Sequence, residues 1–274
     1  MRAFAYTRPA DLPAAVALLA EHGAEARVLA GGTDLIIRLR DRTYEPVLVV
    51  DVKQIPEFAP RIEQGDGWLR FSAGTTMTDV VASPLVQRWF PALADAARFV
   101  GSVQIRNRAT LAGNQCNASP AADTAPPLLV YDAQLELVGP AGRRTIALDD
   151  FFVRSGVTTL GRGELVTAIR LPLPDRPVGS GFQRRTRRRG HDLASVTLAV
   201  SVNDEGVTRF AYGSLGPRPV LFVDRTGSPD YETWFAAATP SPTSMRAGPD
   251  YRLQMLRVLA ERALATARER LAAA

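Results

Sequence analysis

Apolar and polar positions in the first hundred residues follow a pattern of short helices and buried strands. Residues 11–21 predict a helix, because Asp11 suits the N-cap, Pro13 fits the first turn and the apolar positions share one face. Short continuous apolar runs bounded by turns predict buried strands. Further strands are predicted at residues 27–29, 47–50 and 68–71, and further helices at residues 35–40, 78–86 and 91–97.

Strand patterns dominate the second half of the chain. Residues 134–138 alternate polar and apolar side chains, and a glycine-rich turn separates them from a second strand pattern at 143–148, which predicts a hairpin. Residues 172–181 contain three prolines and two glycines, which predicts a linker. Strands are then predicted at residues 182–186, 195–202 and 207–212, and a long amphipathic helix at residues 250–271.

These elements predict an α+β fold in two parts, a larger domain over residues 1–172 and a smaller sheet-plus-helix domain over residues 178–274. The chain has 274 residues, of which 46% are hydrophobic and 22% charged, so it is too apolar for a disordered protein. No apolar run is long enough to span a membrane, and the first residues lack the apolar core of a signal peptide. We therefore expect a cytoplasmic protein.

Charge and reactive side chains narrow the possible chemistry. The net charge is +5, carried almost entirely by arginine, and it fits an acidic partner or an anionic cofactor as well as nucleic acid. The one cysteine, Cys116, excludes an intrachain disulfide and an all-cysteine iron–sulfur site in this chain, and we interpret it as a packed side chain. His22 and His191 lie in polar contexts without a Gly-x-Ser-x-Gly turn or clustered metal ligands, so the sequence supports neither hydrolysis nor a metal site.

Paired glycines separate a predicted strand from a predicted helix in the segment Ala30-Gly31-Gly32-Thr33-Asp34-Leu35. Glycine lets the backbone approach a ligand without a Cβ clash, and N–H groups in such a turn face an anion. The segment matches neither Gly-x-Gly-x-x-Gly nor Walker A. It therefore indicates either a phosphate-binding turn or a plain turn before a helix.

Residues 101–123 form a long segment rich in small polar residues and without clear periodicity. A segment of roughly 20 residues without secondary structure is uncommon in a compact domain unless it is functional. Its side chains suit a nucleotide: Thr110, Asn114 and Ser119 as donors, Gly113 for close approach and Asp123 as an acceptor for ribose hydroxyls. An ordered surface loop is the alternative interpretation.

Together these two segments resemble the signatures of the FAD-binding subunits of molybdenum hydroxylases, the medium-chain family of xanthine dehydrogenase and carbon monoxide dehydrogenase. After the Ala-Gly-Gly-Thr-Asp-Leu turn, the resemblance rests on Gln104-Ile105-Arg106-Asn107, Thr110-Leu111-Ala112-Gly113-Asn114 and Ala118-Ser119-Pro120-Ala121-Ala122-Asp123. It extends over nearly the whole chain. Two residues depart from the pattern: Ala112 replaces a usual glycine, and Arg184 stands where many members have lysine.

The resemblance implies an FAD site between two lobes, roughly residues 1–55 and 56–172, closed by the C-terminal domain. It assigns one diphosphate turn to residues 29–35 and a second to residues 110–114, with Asp123 as the ribose-binding carboxylate. Val100 would lie beside the isoalloxazine, and the backbone of Leu165 on the far side of the flavin. The residues assigned to the cofactor are Leu29, Ala30, Gly31, Gly32, Thr33, Asp34, Leu35, Val100, Thr110, Ala112, Gly113, Asn114, Ser119, Asp123, Leu165 and Arg184.

The resemblance also implies partner chains. Substrate would be oxidised at a molybdopterin on a large subunit, and electrons would pass through [2Fe–2S] clusters of a small subunit to FAD and then to an external acceptor. A self-sufficient FAD-dependent oxidase and a non-enzymatic arginine-rich nucleic-acid-binding or scaffold protein are the alternatives. The arginine run 184–189 is either a solvated surface or a contact for an acidic partner, with Arg184 reaching the flavin; nucleic-acid binding is disfavoured because no aromatic residues interleave.

Overall fold

The computed structural model describes residues 1–188 and 190–274. Its first sheet is small and parallel, with strand order β1-β3-β2, and its strands are joined by a helical crossover. Asp11 caps the first helix, its side chain accepting a hydrogen bond from the N–H of Ala14 as the sequence predicts. The elements are β1 (Ala5–Thr7), α1 (Leu12–His22), β2 (Ala26–Leu29), α2 (Leu35–Arg40) and β3 (Leu48–Asp51).

The second sheet is antiparallel and has five strands in the order β4-β5-β10-β6-β7. Its central strand, β10, was not predicted from the sequence. The elements are β4 (Ile62–Gly65), β5 (Trp68–Ser72), α3 (Met77–Ala82), α4 (Pro84–Trp89), α5 (Pro91–Ala97), α6 (Val103–Arg106), α7 (Leu111–Cys116), α8 (Ala125–Val130), β6 (Gln134–Gly139), β7 (Gly142–Ala147), α9 (Leu148–Phe151), β8 (Phe152–Arg154), β9 (Val157–Thr158) and β10 (Leu165–Pro172). Six short helices, α3 to α8, lie between β5 and β6 along the chain. Strands β8 and β9 of this part of the chain pair with each other in a separate two-stranded sheet.

The third sheet is antiparallel with its strands in chain order, and one long helix packs along it. The predicted strands and closing helix of this region are present, and β14 is an additional strand. The elements are β11 (Val178–Arg185), β12 (Val196–Asn203), β13 (Thr208–Gly213), β14 (Val220–Asp224), α10 (Tyr231–Ala236) and α11 (Pro249–Ala272). The overall α+β class is as predicted, whereas the domain limits 1–172 and 178–274 stay a prediction.

Two main apolar cores organise the described part of the chain, beside a small cluster of Leu35, Leu39 and Val49. The larger core lies among the first two sheets and their helices, and it also includes Phe182, Ala199 and Ala211 from one face of the third sheet. The smaller core lies between the other face of that sheet and helix α11, around Phe210 and Trp234. Since the third sheet contributes to both cores, it is packed firmly against the N-terminal part of the chain.

The predicted helix at 78–86 is wrong as a single element. It is divided into α3 and α4 at Ser83, whose backbone is extended at φ −71° and ψ 119°. Proline disfavours helical geometry in the residue before it, and Pro84 imposes that restriction on Ser83. The Ser83 hydroxyl then caps α4 by accepting a hydrogen bond from the N–H of Val86.

The predicted linker at 172–181 is also too long. Strand β11 begins at Val178, so only residues 173–177 separate it from β10. Gly179 and Gly181 belong to the strand, where they let the backbone of α11 approach. A Cβ atom at Gly181 would lie 2.2 Å from the carbonyl oxygen of Ala263, and one at Gly179 would lie 1.8 Å from that of Ala267. These glycines are required by close packing rather than by a turn.

Candidate cofactor site

The described residues enclose a cavity of about 260 Å³ between the first and second sheets. One wall is the turn between β2 and α2, and the facing wall is the start of α7. The end of the cavity is closed by the segment that leads into β10. The lining residues are Arg27, Val28, Ala30, Gly31, Gly32, Thr33, Asp34, Leu35, Arg38, Tyr44, Phe58, Ala73, Thr110, Ala112, Gly113, Cys116, Asn117, Leu160, Glu164, Leu165 and Val166.

The first wall is the glycine turn, and its backbone is restricted to glycine at two positions. A Cβ atom at Gly31 would lie 2.1 Å from the carbonyl oxygen of Arg108, so the turn touches the segment before α7. Gly32 has φ +77°, in the left-handed region that favours glycine. Among the described residues, no backbone acceptor receives a hydrogen bond from the N–H of Gly32 or Thr33. These donors are therefore free for a ligand in the cavity.

The second wall is the first turn of α7, which Thr110 caps. The Thr110 hydroxyl accepts a hydrogen bond from the N–H of Gly113 at 3.0 Å, and a Cβ atom at Gly113 would lie 2.8 Å from that oxygen. The prediction that residues 101–123 lack secondary structure is wrong, because Ser102 caps α6 and Thr110 caps α7. Polar capping residues were interpreted as loop residues, although a serine or threonine before apolar positions also begins a helix.

Asn117, at the end of α7, joins the two walls. Its Nδ2 donates to Oδ1 of Asp34 at 3.1 Å, and its Oδ1 accepts from the guanidinium of Arg38 at 2.5 Å. The amide therefore bridges residues that are about eighty positions apart in sequence. This contact fixes the spacing of the two turns across the cavity.

Ten of the sixteen residues assigned to the cofactor line the cavity, namely Ala30, Gly31, Gly32, Thr33, Asp34, Leu35, Thr110, Ala112, Gly113 and Leu165. Ala112 is buried and lines the wall in place of the glycine typical of the pattern. Leu29 packs instead against the small core of Leu35, Leu39 and Val49. Asn114 lies behind the wall, where its carboxamide oxygen accepts a hydrogen bond from Thr124 at 2.8 Å. Ser119 begins a turn in which its hydroxyl accepts from the N–H of Ala121.

Asp123 and Arg184 form a separate group outside the cavity lining. Asp123 Oδ1 and Arg184 Nε lie 3.3 Å apart, and both side chains are about nine-tenths buried. Burial raises the pKa of Asp123 to about 7, although the Arg184 charge opposes the shift. The Arg184 guanidinium also donates to the carbonyl oxygens of Phe99 and Asp192 and packs on the Phe99 ring. The half-buried Val100 directly follows Phe99 in the chain.

Several lining residues were not identified from the sequence. Arg27, Arg38 and Tyr44 lie on the same side of the cavity as the glycine turn, and Asn117 and Cys116 lie on the α7 side. Arg38 is four residues after Asp34, the spacing of neighbours on a helix face. This spacing from the glycine turn is the sequence feature that could have identified Arg38 as a lining residue. Burial raises the pKa of the Cys116 thiol to about 12, which agrees with an unreactive packed side chain.

Other site types receive no support from the part of the chain that is described. No group of three or more histidine, cysteine or acidic side chains there is arranged to hold a metal ion. No helix in residues 1–188 or 190–274 combines the length and apolar character that crossing a membrane requires. The cavity between the two turns is thus the main candidate site.

Comparison with known proteins identifies the family of the chain. The family described as the FAD binding domain in molybdopterin dehydrogenase matches residues 2–174. The xanthine dehydrogenase FAD-binding subunit of Escherichia coli O157:H7 is 35% identical over 220 residues, covering 78% of this chain and 75% of that protein. The carbon monoxide dehydrogenase medium chain of Hydrogenophaga pseudoflava is 34% identical over 205 residues, covering 75% and 71%.

The fold gives the same result as the sequence. The structure of carbon monoxide dehydrogenase from Hydrogenophaga pseudoflava, in a form lacking the Mo-pyranopterin moiety of its cofactor, superimposes with a TM-score of 0.91, at 28% identity and with 98% of both chains covered. This similarity includes the C-terminal sheet and helix as well as the cavity walls. The chain therefore belongs to the FAD-binding domain family of the molybdopterin dehydrogenases and is an FAD-binding subunit of the xanthine dehydrogenase and carbon monoxide dehydrogenase type.

Proposed function

We propose that this chain carries electrons within a heteromeric molybdenum hydroxylase, receiving them from [2Fe–2S] clusters of a small subunit and passing them to an external acceptor. A molybdopterin on a large subunit would oxidise the substrate. FAD, when bound, supplies the electron-carrying chemistry that no side chain of this protein provides. The role of the chain's own residues is to bind the cofactor, orient it and limit its contact with water.

The observation that carries the proposal is the convergence of two turns on one cavity. Gly32 and Thr33, whose N–H groups have no backbone acceptor among the described residues, line the cavity on one side, and Thr110 and Gly113 line it on the other. Donors on both sides suit the two negative charges of a dinucleotide diphosphate. We propose that the ten lining residues of the cofactor assignment hold FAD there.

Six residues assigned to the cofactor lie outside the cavity lining, and the proposal divides them into two groups. Asp123 and Arg184 are buried charged groups whose closest atoms, Oδ1 and Nε, make no well-aligned hydrogen bond. Buried polar atoms without partners cost free energy unless a ligand completes them. This supports a place for Asp123, Arg184 and the adjacent Val100 beside the cofactor, while Leu29, Asn114 and Ser119 support the turns from behind.

The arginine run remains a proposed contact for an acidic partner subunit. Arg187 donates to Asp192 and to the carbonyl oxygen of Met245, and Arg188 donates to the carbonyl oxygen of His191. Arg189 lies outside the described residues. Since Arg187 and Arg188 are exposed, these internal contacts leave part of each guanidinium open to a partner.

Reconstitution with subunits that copurify with this chain tests the proposal without knowledge of the substrate. The partner subunits are reduced chemically, freed of excess reductant and mixed with the oxidised FAD-loaded chain while flavin absorbance is followed. We expect rapid bleaching that slows at high salt. An FAD-loaded chain that receives no electrons from copurifying subunits, or that oxidises a small substrate unaided, would contradict the subunit role and favour the self-sufficient oxidase.

A further inference from the structure

Arg38 brings a positive charge to the cavity wall, and among the described residues this charge has no ion pair with a carboxylate. Its half-buried side chain leaves α2 and donates hydrogen bonds to the hydroxyl of Tyr44 and to Oδ1 of Asn117, both neutral acceptors. Within residues 1–188 and 190–274, no ion pair joins this guanidinium to an acidic side chain. The charge is held in a fixed place but not neutralised.

Arg27 adds a second guanidinium of the same kind. It donates to the carbonyl oxygens of Ala24 and Ala26 at 2.7 and 2.8 Å, and it too lacks an ion pair among the described residues. The Cζ atoms of Arg27 and Arg38 lie 4.6 and 4.9 Å from the centre of the Tyr44 ring. Tyr44 therefore holds both cations through contacts with its ring.

The acidic residues of the wall do not balance these charges. Glu164 forms a bidentate ion pair with Arg144, whose Nε and terminal nitrogen donate to the two carboxylate oxygens at 2.6 and 2.7 Å. Only Asp34 remains, exposed and bonded to the Asn117 amide. In the described part of the chain, the wall therefore carries two guanidinium groups without an ion pair, those of Arg27 and Arg38, and one such carboxylate, that of Asp34. Its net charge is positive, which suits an anion with more than one charge.

We propose that Arg38 is the cationic partner of the FAD diphosphate and that Asn117 is a positioning residue that holds its guanidinium toward the cavity. This inference rests on the proposed FAD site. The glycine turns offer only backbone dipoles, whereas the planar guanidinium offers paired donors that match phosphate oxygens. Arg38 contacts Asn117, which directly follows α7, and it comes after the glycine turn on α2, so it lies where both turns reach the same ligand.

The test compares Arg38→Gln with Arg40→Gln, a matched control on the same helix whose side chain is exposed and outside the cavity. FAD is removed, and its Kd is measured by flavin fluorescence during titration of the full chain. We expect Arg38→Gln to raise the Kd about tenfold or more, and Arg40→Gln to change it less than about twofold. Arg38→Lys, which keeps the charge but loses the planar fork, should lie between them.

Salt separates a direct charge contact from a structural effect. The Kd of the unchanged chain should rise as sodium chloride is added, and this dependence should weaken in Arg38→Gln because one of the screened charges is removed. Asn117→Ala should raise the Kd while keeping the salt dependence, since Arg38 remains charged. A thermal unfolding scan of each FAD-free variant checks that it is folded.

Three outcomes overturn the inference. Arg38→Gln and Arg40→Gln with equal FAD affinity would remove Arg38 from the site while leaving the proposed function intact. A Kd that does not depend on salt in the unchanged chain would also remove Arg38 from the site. This measurement does not need the variant, so it tests the inference even if Arg38→Gln does not fold. An unchanged chain that binds no FAD at all would overturn the proposed function and this inference together.

Discussion

Asp123 Oδ1 and Arg184 Nε lie 3.3 Å apart in the interior of the chain, and neither atom has a well-aligned hydrogen bond. The two residues are on different structural units, Asp123 just before α8 and Arg184 near the end of β11. Their contact links the C-terminal sheet to the segment between α7 and α8. Because both side chains are buried, the protonation state of Asp123 affects the stability of this junction.

Stability of the FAD-free chain should therefore depend on the pKa of Asp123. Burial raises this pKa from 3.8 to about 7 in the folded chain. A carboxyl with a raised folded-state pKa stabilises the fold in its protonated form, so the contribution is present at low pH and is lost as pH rises through about 7. Asp123→Asn, a neutral substitute, should reduce the difference in unfolding free energy between about pH 5 and about pH 8. Chemical denaturation at each pH measures the unfolding free energy of the unchanged chain and of Asp123→Asn. The same pH dependence in both would contradict a raised pKa of Asp123 in the folded chain.

A charge placed on the glycine turn should prevent FAD binding. Gly32 has φ +77°, which asparagine and aspartate both tolerate better than other non-glycine residues. Its added Cβ would lie 2.9 Å from Cδ1 at the flexible end of Leu29 and at an ordinary contact distance of 3.6 Å from Cγ1 of Ile36. Gly32→Asn and Gly32→Asp thus impose similar strain but differ in charge. We expect Gly32→Asp to bind FAD about tenfold or more weakly than Gly32→Asn, a difference of about 1.4 kcal/mol or more. Equal affinities by equilibrium titration would show that no phosphate lies at this turn.

The close backbone contact between Gly181 and helix α11 should be intolerant of a methyl group. Gly181→Ala would place Cβ 2.2 Å from the carbonyl oxygen of Ala263 and force α11 away from β11. The expected loss is about 1–3 kcal/mol in unfolding free energy. Gly65→Ala is the control, because a Cβ at Gly65 meets nothing within 4 Å. Denaturation curves that shift equally for both variants would contradict the packing described here.

Cys116 provides a chemical probe of the cavity, since it is the only cysteine and lines the wall. Its pKa is raised to about 12 by burial, so alkylation by iodoacetamide should be slow in the FAD-free chain. Bound FAD should slow it several-fold further by covering the wall. Mass spectrometry follows the reaction, and Cys116→Ser confirms the site of labelling. Alkylation at the same rate with and without FAD would place the cofactor elsewhere.

Local elements were predictable because their signals lie within a few residues. Asp11 and Pro13 begin a helix through contacts made inside its first turn, and the glycine-rich turn between β6 and β7 joins neighbouring strands. Strand β10 was missed because it pairs with β5 and β6, which come from distant parts of the chain. Its position in the centre of the sheet depends on those partners rather than on its own pattern.

The residues of the site likewise divide into those with a local signal in the sequence and those that depend on contacts between distant residues. The glycine turn and Thr110 were identified from local chemistry and from the family pattern, and the structure brings them to one cavity. Arg38 and Asn117 were missed because their contact joins residues 79 positions apart. Asp123 was assigned to ribose, but its contact with Arg184 depends on a strand that follows much later in the chain. Such pairings follow from the tertiary fold and leave no mark on local sequence.

Flavin content is the most direct measurement for the central claim, that the two turns around the cavity form an FAD site. The full chain is purified, its visible spectrum is recorded, and the flavin released on denaturation is identified and counted per chain. We expect one FAD per chain, either retained during purification or restored by adding FAD to the cofactor-free protein. A folded chain with no flavin absorbance that also fails to bind added FAD would contradict it.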